Sequence, residues 1–205
     1  MAGRVGDDPA AALRDHLVDT AAHLTTQVPI AAITTREIAR AAGVSDGVLY
    51  NYFDDKNDLL VEALLRQFRR IFEVVRARIP EPGTGAVEEN LRSFAVMLFE
   101  LEREVIPMMA GLLADPVLFH RVFAALHEDP LGPEWVREPL VSYLEGERRL
   151  GRVRSDVDPS AISLLLMGST SILALLGHIV PNVQASGSER VQHVVEELLR
   201  GVRPE

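Results

Sequence analysis

Residues between Asp46 and Tyr52 carry side chains that can contact nucleic acid. Tyrosine hydroxyls and asparagine amides form hydrogen bonds with phosphates and base edges, and a glycine allows close approach to the backbone. The residues that a helix in this region would turn outward are Asp46, Gly47, Val48, Tyr50, Asn51 and Tyr52. An outward helical face of this composition predicts contacts in the major groove of DNA.

The flanking residues predict the two helices that would present this face. Thr34, followed three residues later by Glu37, is a capping-box pattern, so a helix should begin there. Gly43 stands where a helix needs a left-handed residue at its end. Ser45 can cap a second helix. The apolar residues on the buried side of that helix are Leu49 and Phe53. Two helices joined by a glycine turn form a helix-turn-helix.

The composition predicts a soluble protein with an aliphatic core. Of the 205 residues 47% are apolar but only 5% are aromatic, so aliphatic side chains must fill most of the interior. The sequence has no cysteine, which excludes a disulfide framework, thiolate metal sites and cysteine nucleophiles. Residues 1–8 have no apolar stretch behind their one arginine, so we expect no signal peptide and a cytoplasmic protein.

The charge distribution argues against a protein that coats nucleic acid broadly. The formal net charge is −9 at pH 7, whereas such proteins are strongly basic. Between Met1 and Leu60 five basic residues stand against nine acidic ones. An acidic DNA-binding region is unusual, and this charge is the main observation against a contact with DNA.

Helix signals recur along the whole chain and strand signals are nearly absent, so we predict an all-α fold of nine or ten helices. The first helix is expected at Pro9–Thr26. The clearest break is the run of prolines and glycines from Ile79 to Gly85. The predicted parts are a three-helix helix-turn-helix domain at residues 9–55, a connecting helix at residues 56–80 and a C-terminal helical domain at residues 86–205.

Prolines, glycines and caps place the helices of the C-terminal domain. A proline inside a helix removes a hydrogen bond, so Pro107 should end one helix and begin a short one. Asp115–Pro116 and Asp158–Pro159 are caps followed by proline at the first helical position. Ser186 with Glu189 should cap the last helix. The helices of this domain are expected to end near residues 104, 113, 126, 151, 177 and 201.

One stretch of the C-terminal domain is long and apolar enough to span a bilayer. Residues 159–188 have no formal charge, and residues 161–180 are mostly apolar. Interspersed serine, threonine and glycine residues dilute the stretch, and no second span accompanies it. We therefore expect a helix that is buried on most sides of a soluble protein, and no membrane partner.

Methionine and aromatic residues are frequent in the same domain. They either form ordinary core or line a pocket between helices, since methionine adapts to irregular shapes. The candidate pocket residues are Phe94, Met97, Met108, Met109, Phe119, Phe123, Trp135, Tyr143 and Met167. Taken singly, each of them is more typical of a core.

No pattern indicates a metal site, a cofactor or a catalytic centre. The sequence lacks an H-E-x-x-H motif, a phosphate-binding glycine loop and a G-x-S-x-G elbow. The carboxylates of Glu100, Glu102 and Glu104 alternate around a predicted helix, which is typical of solvent-exposed residues. We therefore expect a protein that is not an enzyme.

The order of these features resembles the TetR/AcrR family of bacterial transcription regulators. The resemblance covers residues 9–60, and beyond them it is architectural. The residues that carry it are Thr34, Thr35, Ile38, Ala39, Ala42, Gly43, Val44, Gly47, Leu49, Tyr50, Tyr52, Phe53, Lys56, Leu59 and Leu60. It implies a homodimer, formed through the last two long helices, on a palindromic operator in double-stranded DNA. It also implies a small, apolar effector, for which the methionine and aromatic residues would line a pocket.

The resemblance further implies roles for single residues at the DNA. Gly47 would allow close approach of the backbone. The residues placed at phosphates or base edges are Thr35, Arg36, Tyr50, Asn51, Tyr52 and Lys56. Tyr50 and Tyr52 have an alternative role as half-buried core aromatics.

Three positions depart from the family pattern. Asp46 stands where a basic or neutral residue is common, and Val48 replaces a threonine or serine. Asp54–Asp55 precede Lys56, where a basic residue is frequent. These changes bring negative charge towards phosphates or remove a donor, so DNA affinity should be lower and salt-sensitive. Asp46 could instead accept a hydrogen bond from cytosine and act as a specificity element.

Together the sequence features predict a dimeric, ligand-responsive transcriptional repressor. The helix from Lys56 to Arg78 would be its lever, because it belongs to both predicted domains. Two alternatives stay open at this point. One is a helical ligand-binding or protein-interaction module that has lost DNA affinity, which the acidic motif permits. The other is a helical enzyme with an unrecognised site.

Overall fold

The computed structural model describes residues 8–129, 137–180 and 187–202. These residues form nine α-helices and no strand, which confirms the predicted all-α fold. The helices are α1 (Pro9–Gln27), a short 3-10 helix (Ile30–Ala32), α2 (Thr35–Ala42), α3 (Asp46–Leu49), α4 (Lys56–Arg78), α5 (Val87–Leu113), α6 (Pro116–Glu128), α7 (Glu138–Arg149), α8 (Pro159–Ile179) and α9 (Gly187–Val202). Trp135 and Ser186, which the sequence singled out, lie outside the described residues.

The chain divides into two compact units. Unit 1 is Met1–Arg70 with Met108–Pro130, and unit 2 is Ile71–Pro107 with Leu131–Glu205. The chain passes from one unit to the other inside α4 and again inside α5. This division differs from the predicted domain boundaries, because α6 groups with the helix-turn-helix rather than with the C-terminal helices.

Side-chain caps set the starts of three helices, and those of α6 and α8 are the ones that the sequence predicts. Asp8 accepts a hydrogen bond from the Ala10 amide at 3.0 Å, and α1 begins at the next residue, Pro9. The Asp115 carboxylate accepts from the Leu118 amide at 3.0 Å to start α6. The Asp158 carboxylate accepts at 2.9 Å from the Ser160 amide to start α8. Each cap satisfies an amide that the first helical turn cannot pair.

Helix α5 runs unbroken through Pro107, so the predicted break at this residue is wrong. Proline has no amide hydrogen to donate to the carbonyl four residues before it, which here belongs to Arg103. That carbonyl oxygen lies 2.9 Å from Nε2 of His178 on α8. A donor from another helix therefore replaces the missing backbone bond, and α5 can continue to Leu113.

The loop between α4 and α5 is tied to α7 within unit 2. The fully buried Glu147 accepts from the Gly83 amide at 3.1 Å, and its other oxygen lies 3.3 Å from Nε of Arg152. Nearby, the side-chain amide of Asn90 donates from Nδ2 to the Tyr143 hydroxyl at 2.9 Å. Burial raises the pKa of Tyr143 to about 12, so its hydroxyl stays protonated and can take part in this network.

Helix α8 is not buried on most sides, contrary to the prediction. Its buried residues are Pro159, Ser163, Leu166, Thr170 and Ala174. Another face stays exposed, with relative accessibilities of 58% at Leu165, 50% at Ile172 and 65% at Ile179. By length and a mean hydropathy of 1.8, α8 could cross a membrane, as could α5 with α6 taken as one pair bent by 116°. Core helices of soluble proteins meet the same criterion.

The candidate nucleic-acid interface

The first helix of the motif is fixed by the predicted capping box. The Thr34 hydroxyl accepts from the Glu37 amide at 3.2 Å, and the Glu37 carboxylate accepts from the Thr34 amide at 2.8 Å. The bond from the Thr34 backbone lowers the pKa of Glu37, so the carboxylate is charged wherever the motif is folded at neutral pH. The cap defines where α2 starts relative to the preceding chain.

The turn after α2 has the left-handed residue that the sequence predicts. Gly43 has φ 71° and ψ 28°, a conformation that costs other residues free energy. Its amide donates to the Arg40 carbonyl at 3.2 Å, and the Val44 amide donates to the Ala39 carbonyl at 2.9 Å. The Nε2 atom of His16 on α1 lies 3.2 Å from the Ala42 carbonyl oxygen. The end of α2 is thus closed by the turn and by a neighbouring helix.

The second helix of the motif is a single turn. Ser45 occupies its N-cap position as predicted, but its side chain forms no capping bond. The Tyr52 and Phe53 amides both donate to the Leu49 carbonyl at 3.0 Å, which keeps the chain turning after the helix ends. Leu49 and Phe53 are 2% and 6% exposed and anchor the segment as predicted.

The side chains expected to meet DNA differ in exposure. Tyr50 is 61% exposed, so it is not a core aromatic, whereas Tyr52 is half-buried. The other exposed positions are Arg36, Asp46, Gly47 and Asn51, and the other half-buried ones are Thr35, Val48 and Lys56. A partner could therefore reach Tyr50 without any rearrangement of the apolar anchors beneath it.

All three charged side chains of this set already have partners in the free protein. Nε of Arg36 lies 3.4 Å from Oδ2 of Asp46, and both side chains are largely exposed. Lys56 donates from Nζ to the Ile33 carbonyl at 3.1 Å. Since an ammonium group has three donors, this bond leaves Lys56 able to contact a phosphate as well.

Most of the acidic residues near the motif form ion pairs or caps. Arg66 on α4 lies 2.8 Å from Asp15 and 3.1 Å from Asp19. Arg121 on α6 pairs with Asp55 at 3.0 Å and also with Asp58. Asp55 in addition caps α4 by accepting from the Asp58 amide at 2.8 Å, and this bond, with Arg121, lowers the pKa of Asp55.

These pairs neutralise four of the nine acidic residues in the first 60 positions. The basic partners Arg66 and Arg121 come later in the chain, so a count that stops at Leu60 leaves them out. The departure at Asp54–Asp55 is also explained in part, because Asp55 faces Arg121 within unit 1. Spacing alone gave no signal for a partner 66 positions away.

The candidate effector residues are distributed over both units. Phe94 and Tyr143 are buried in unit 2, and Met108 is buried in unit 1. The half-buried members are Met97, Met109, Phe119, Phe123 and Met167. In unit 1 the rings of Phe119 and Phe123 lie 4.5 Å apart. In unit 2 Met97 lines an open groove of about 610 Å³ together with Val74, Val96 and Leu101. Among the described residues no group of three histidine or acidic side chains could hold a metal ion.

Residues 17–63 match the family model described as bacterial regulatory proteins, tetR family. The chain is 29% identical over 119 residues to the transcriptional repressor KstR of Rhodococcus jostii, a match that covers 58% of this chain and 54% of KstR. The chain spans about half the length of the curated relatives it matches.

Two solved structures show the same fold. A TetR transcription regulator from Haloarcula marismortui superposes with a TM-score of 0.72 at 14% identity, over 95% of this chain and 100% of that chain. The complex of SmeT with triclosan superposes with a TM-score of 0.64 at 16% identity, over 95% of this chain and 93% of that chain. At these identities the likeness concerns the fold alone.

Proposed function

We propose that this chain, whose residues 17–63 match the tetR family model, is a ligand-released repressor that binds a palindromic operator as a dimer. The observation that carries the proposal is the exposed Tyr50, set on a segment that buried Leu49 and Phe53 hold in place. A surface that reads DNA must be held in position by buried residues and must also be exposed to its partner. This segment meets both requirements.

The proposed contacts follow the exposure of the side chains. Tyr50, Tyr52 and Thr35 would donate hydroxyl hydrogen bonds to phosphates, and Lys56 would add a charge to the same backbone. The residues placed towards the bases are Arg36, Asp46, Val48 and Asn51, and Gly47 would allow the backbone to approach them closely. The Arg36–Asp46 pair would separate or turn on binding, so that Arg36 reaches DNA and Asp46 accepts from cytosine.

The proposed dimer forms through α8 and α9. An exposed apolar stripe on α8 contains Leu165, Ile172 and Ile179, and contiguous apolar surface of this kind marks interaction sites. Helix α9 packs against α8 through a separate row of buried residues that includes Val191 and Val195. Two such helix pairs from two copies would form a four-helix bundle.

The proposed effector is a small, apolar molecule. Support comes from the half-buried Met97 and Met167 of unit 2, since methionine side chains adapt to irregular ligands. SmeT, which shares the fold, is solved with triclosan bound. Effector binding would favour a dimer with the wrong spacing between motifs, for which a typical coupling of about 1–3 kcal/mol suffices. The proposed organisation remains a DNA-binding domain at residues 9–55, a lever at 56–80 and a ligand and dimer domain at 86–205.

The test is fluorescence anisotropy of the full chain on duplexes tiled across the region upstream of its own gene, at two salt concentrations. We expect tight binding to one tile that weakens steeply with salt, because phosphate contacts release counterions. Two exposed arginines of α2 provide a matched pair of variants. Arg36→Gln should lower affinity about tenfold, whereas Arg40→Gln should leave it nearly unchanged.

Two results would contradict the proposal. Absence of binding to any duplex at low salt would leave the alternative of a helical ligand-binding or protein-interaction module that has lost DNA affinity. Equal effects of Arg36→Gln and Arg40→Gln would mean that α2 contributes only diffuse charge and that the proposed reading surface is misplaced.

A further inference from the structure

A glutamate that the sequence places among solvent-exposed carboxylates lies between two helices of unit 2. Oε1 of Glu102 on α5 accepts a hydrogen bond from the Ser171 hydroxyl on α8 at 2.6 Å. The second carboxylate oxygen, Oε2, is shielded from solvent and has no hydrogen-bond partner. The prediction that Glu102 points to solvent is therefore wrong, and one of its oxygens is buried without compensation.

Buried residues flank the Glu102–Ser171 contact on both helices. Phe99 on α5 is buried, and so are Thr170 and Ala174 on α8. The Thr170 hydroxyl donates to the Met167 carbonyl at 2.9 Å, so its single hydrogen is already used. The start of α9 closes the same region, since a side-chain carbon at Gly187 would collide with the Phe99 ring.

The charged groups nearby are engaged elsewhere. On α5, Arg103 pairs with Glu100 at 2.8 Å, and Glu104 is exposed. On α8, the imidazole of His178 bonds to the Arg103 carbonyl. On α9, Glu196 lies 3.9 Å from Arg92. Among the described residues no cation forms an ion pair with Glu102 to stabilise its charged form.

A carboxylate in such surroundings is unfavourable, because burial removes its hydration and the single bond from Ser171 replaces only part of it. Burial raises the pKa of Glu102 to about 7, and the nearby hydroxyls of Ser171 and Thr170 oppose this only in part. The protonated acid is neutral and fits an apolar site better. The packed and separated states of the two helices must therefore differ in the number of bound protons.

We propose that the contact between α5 and α8 is a proton-linked latch, in which Glu102 takes up a proton when α8 packs against α5 and releases it when the two helices separate. The direction of the pH dependence follows from the raised pKa of Glu102 in the packed state. The stability contributed by protonated Glu102 is fully present when the pH is below 4.5, the ordinary pKa of a glutamate. It is lost as the pH rises through about 7. The latch acts on the helix that bears the exposed Leu165 and Ile172 on another face.

The first test compares thermal unfolding of the full chain between pH 5 and pH 9 at one protein concentration. Glu102→Gln keeps the shape of the side chain but cannot titrate, and Glu104→Gln removes an exposed carboxylate from the same helix. We expect the Tm of the wild type to fall by about 3–8 °C relative to Glu102→Gln between pH 6 and pH 9. Glu104→Gln should follow the wild type. Parallel curves for the wild type and Glu102→Gln would overturn the proposal.

A second measurement does not depend on a variant at Glu102. Carboxyl ¹³C resonances of glutamates in the wild-type chain can be titrated by NMR, and one of them should have a midpoint near 7. Ser171→Ala removes a hydrogen bond that favours the charged form, so the same resonance should move to a higher midpoint. Titration of every glutamate near its ordinary value, or a midpoint that Ser171→Ala does not move, would overturn the latch.

Discussion

The imidazole of His178 takes the place of a missing backbone donor at Arg103. Nε2 of His178 lies 2.9 Å from the Arg103 carbonyl oxygen, the acceptor that Pro107 cannot serve inside α5. A carbonyl accepts and does not donate, so Nε2 must carry the hydrogen. The bond joins residues 75 positions apart and lets a proline sit in the interior of a 27-residue helix. It also attaches α8 to α5 one helical turn before the proline.

The first prediction concerns this substitute bond. His178→Ala should lower the free energy of unfolding by about 0.5–1.5 kcal/mol, because the Arg103 carbonyl loses its donor. Pro107→Ala restores an amide that can serve the same carbonyl within α5. In that background His178→Ala should cost clearly less, and denaturant unfolding of the wild type, both single variants and the double variant measures the difference.

The four free energies of unfolding also provide the control for this cycle. Equal costs of His178→Ala in the two backgrounds would show that the imidazole contributes by packing and that its bond to Arg103 does not compensate for Pro107.

The local parts of the fold could be predicted from the sequence because their causes are local. Thr34 and Glu37 form their capping box within four consecutive residues, and Gly43 adopts its left-handed conformation for reasons of its own chemistry. The same holds for Asp115 and Asp158, whose carboxylates accept from amides two or three residues later. Such signals are complete in a short window of sequence.

The parts that could not be predicted depend on partners far along the chain. Pro107 was expected to end a helix because nothing near it shows that His178 supplies a donor. The carboxylate of Asp55 looked unfavourable near DNA because its partner, Arg121, lies 66 positions away. Glu102 has the spacing of an exposed residue, and only the packing of α8 buries one of its oxygens.

The second prediction concerns Gly47 and tests whether this glycine serves DNA binding rather than stability. No atom lies within 4 Å of the position that a Cβ would occupy at Gly47, so Gly47→Ala should leave stability unchanged or raise it by up to about 1 kcal/mol. If Gly47 allows the backbone to approach DNA, the same variant should bind its operator about tenfold more weakly, roughly 1.4 kcal/mol. Thermal unfolding and anisotropy on one sample measure both quantities.

Gly146→Ala is the matched control for that experiment. A Cβ at Gly146 would collide with the ring of Pro82 in the loop between α4 and α5, and this ring cannot turn aside. Here we expect a loss of about 1–3 kcal/mol in stability and, for the protein that remains folded, unchanged affinity for DNA. Unaltered DNA binding by Gly47→Ala would remove this glycine from the proposed interface.

The third prediction concerns the exposed stripe of α8. Leu165 and Ile172 are 58% and 50% exposed in the single chain, so a charge at either position should not disturb the core of that chain. Burying an unpaired carboxylate in an apolar interface costs several kcal/mol, and Leu165→Glu or Ile172→Glu should therefore convert a dimer to monomers. Light scattering coupled to size-exclusion chromatography measures the mass, and circular dichroism shows whether the helices persist.

The control for the stripe is an apolar residue of similar exposure elsewhere. Val117 on α6 is 64% exposed and belongs to unit 1, so Val117→Glu introduces the same charge away from α8. It should leave the mass at that of the dimer. A dimer that survives both Leu165→Glu and Ile172→Glu would place the contact between copies on another surface. The exposed apolar face of α8 would then need a different partner, because such a face is unfavourable in water.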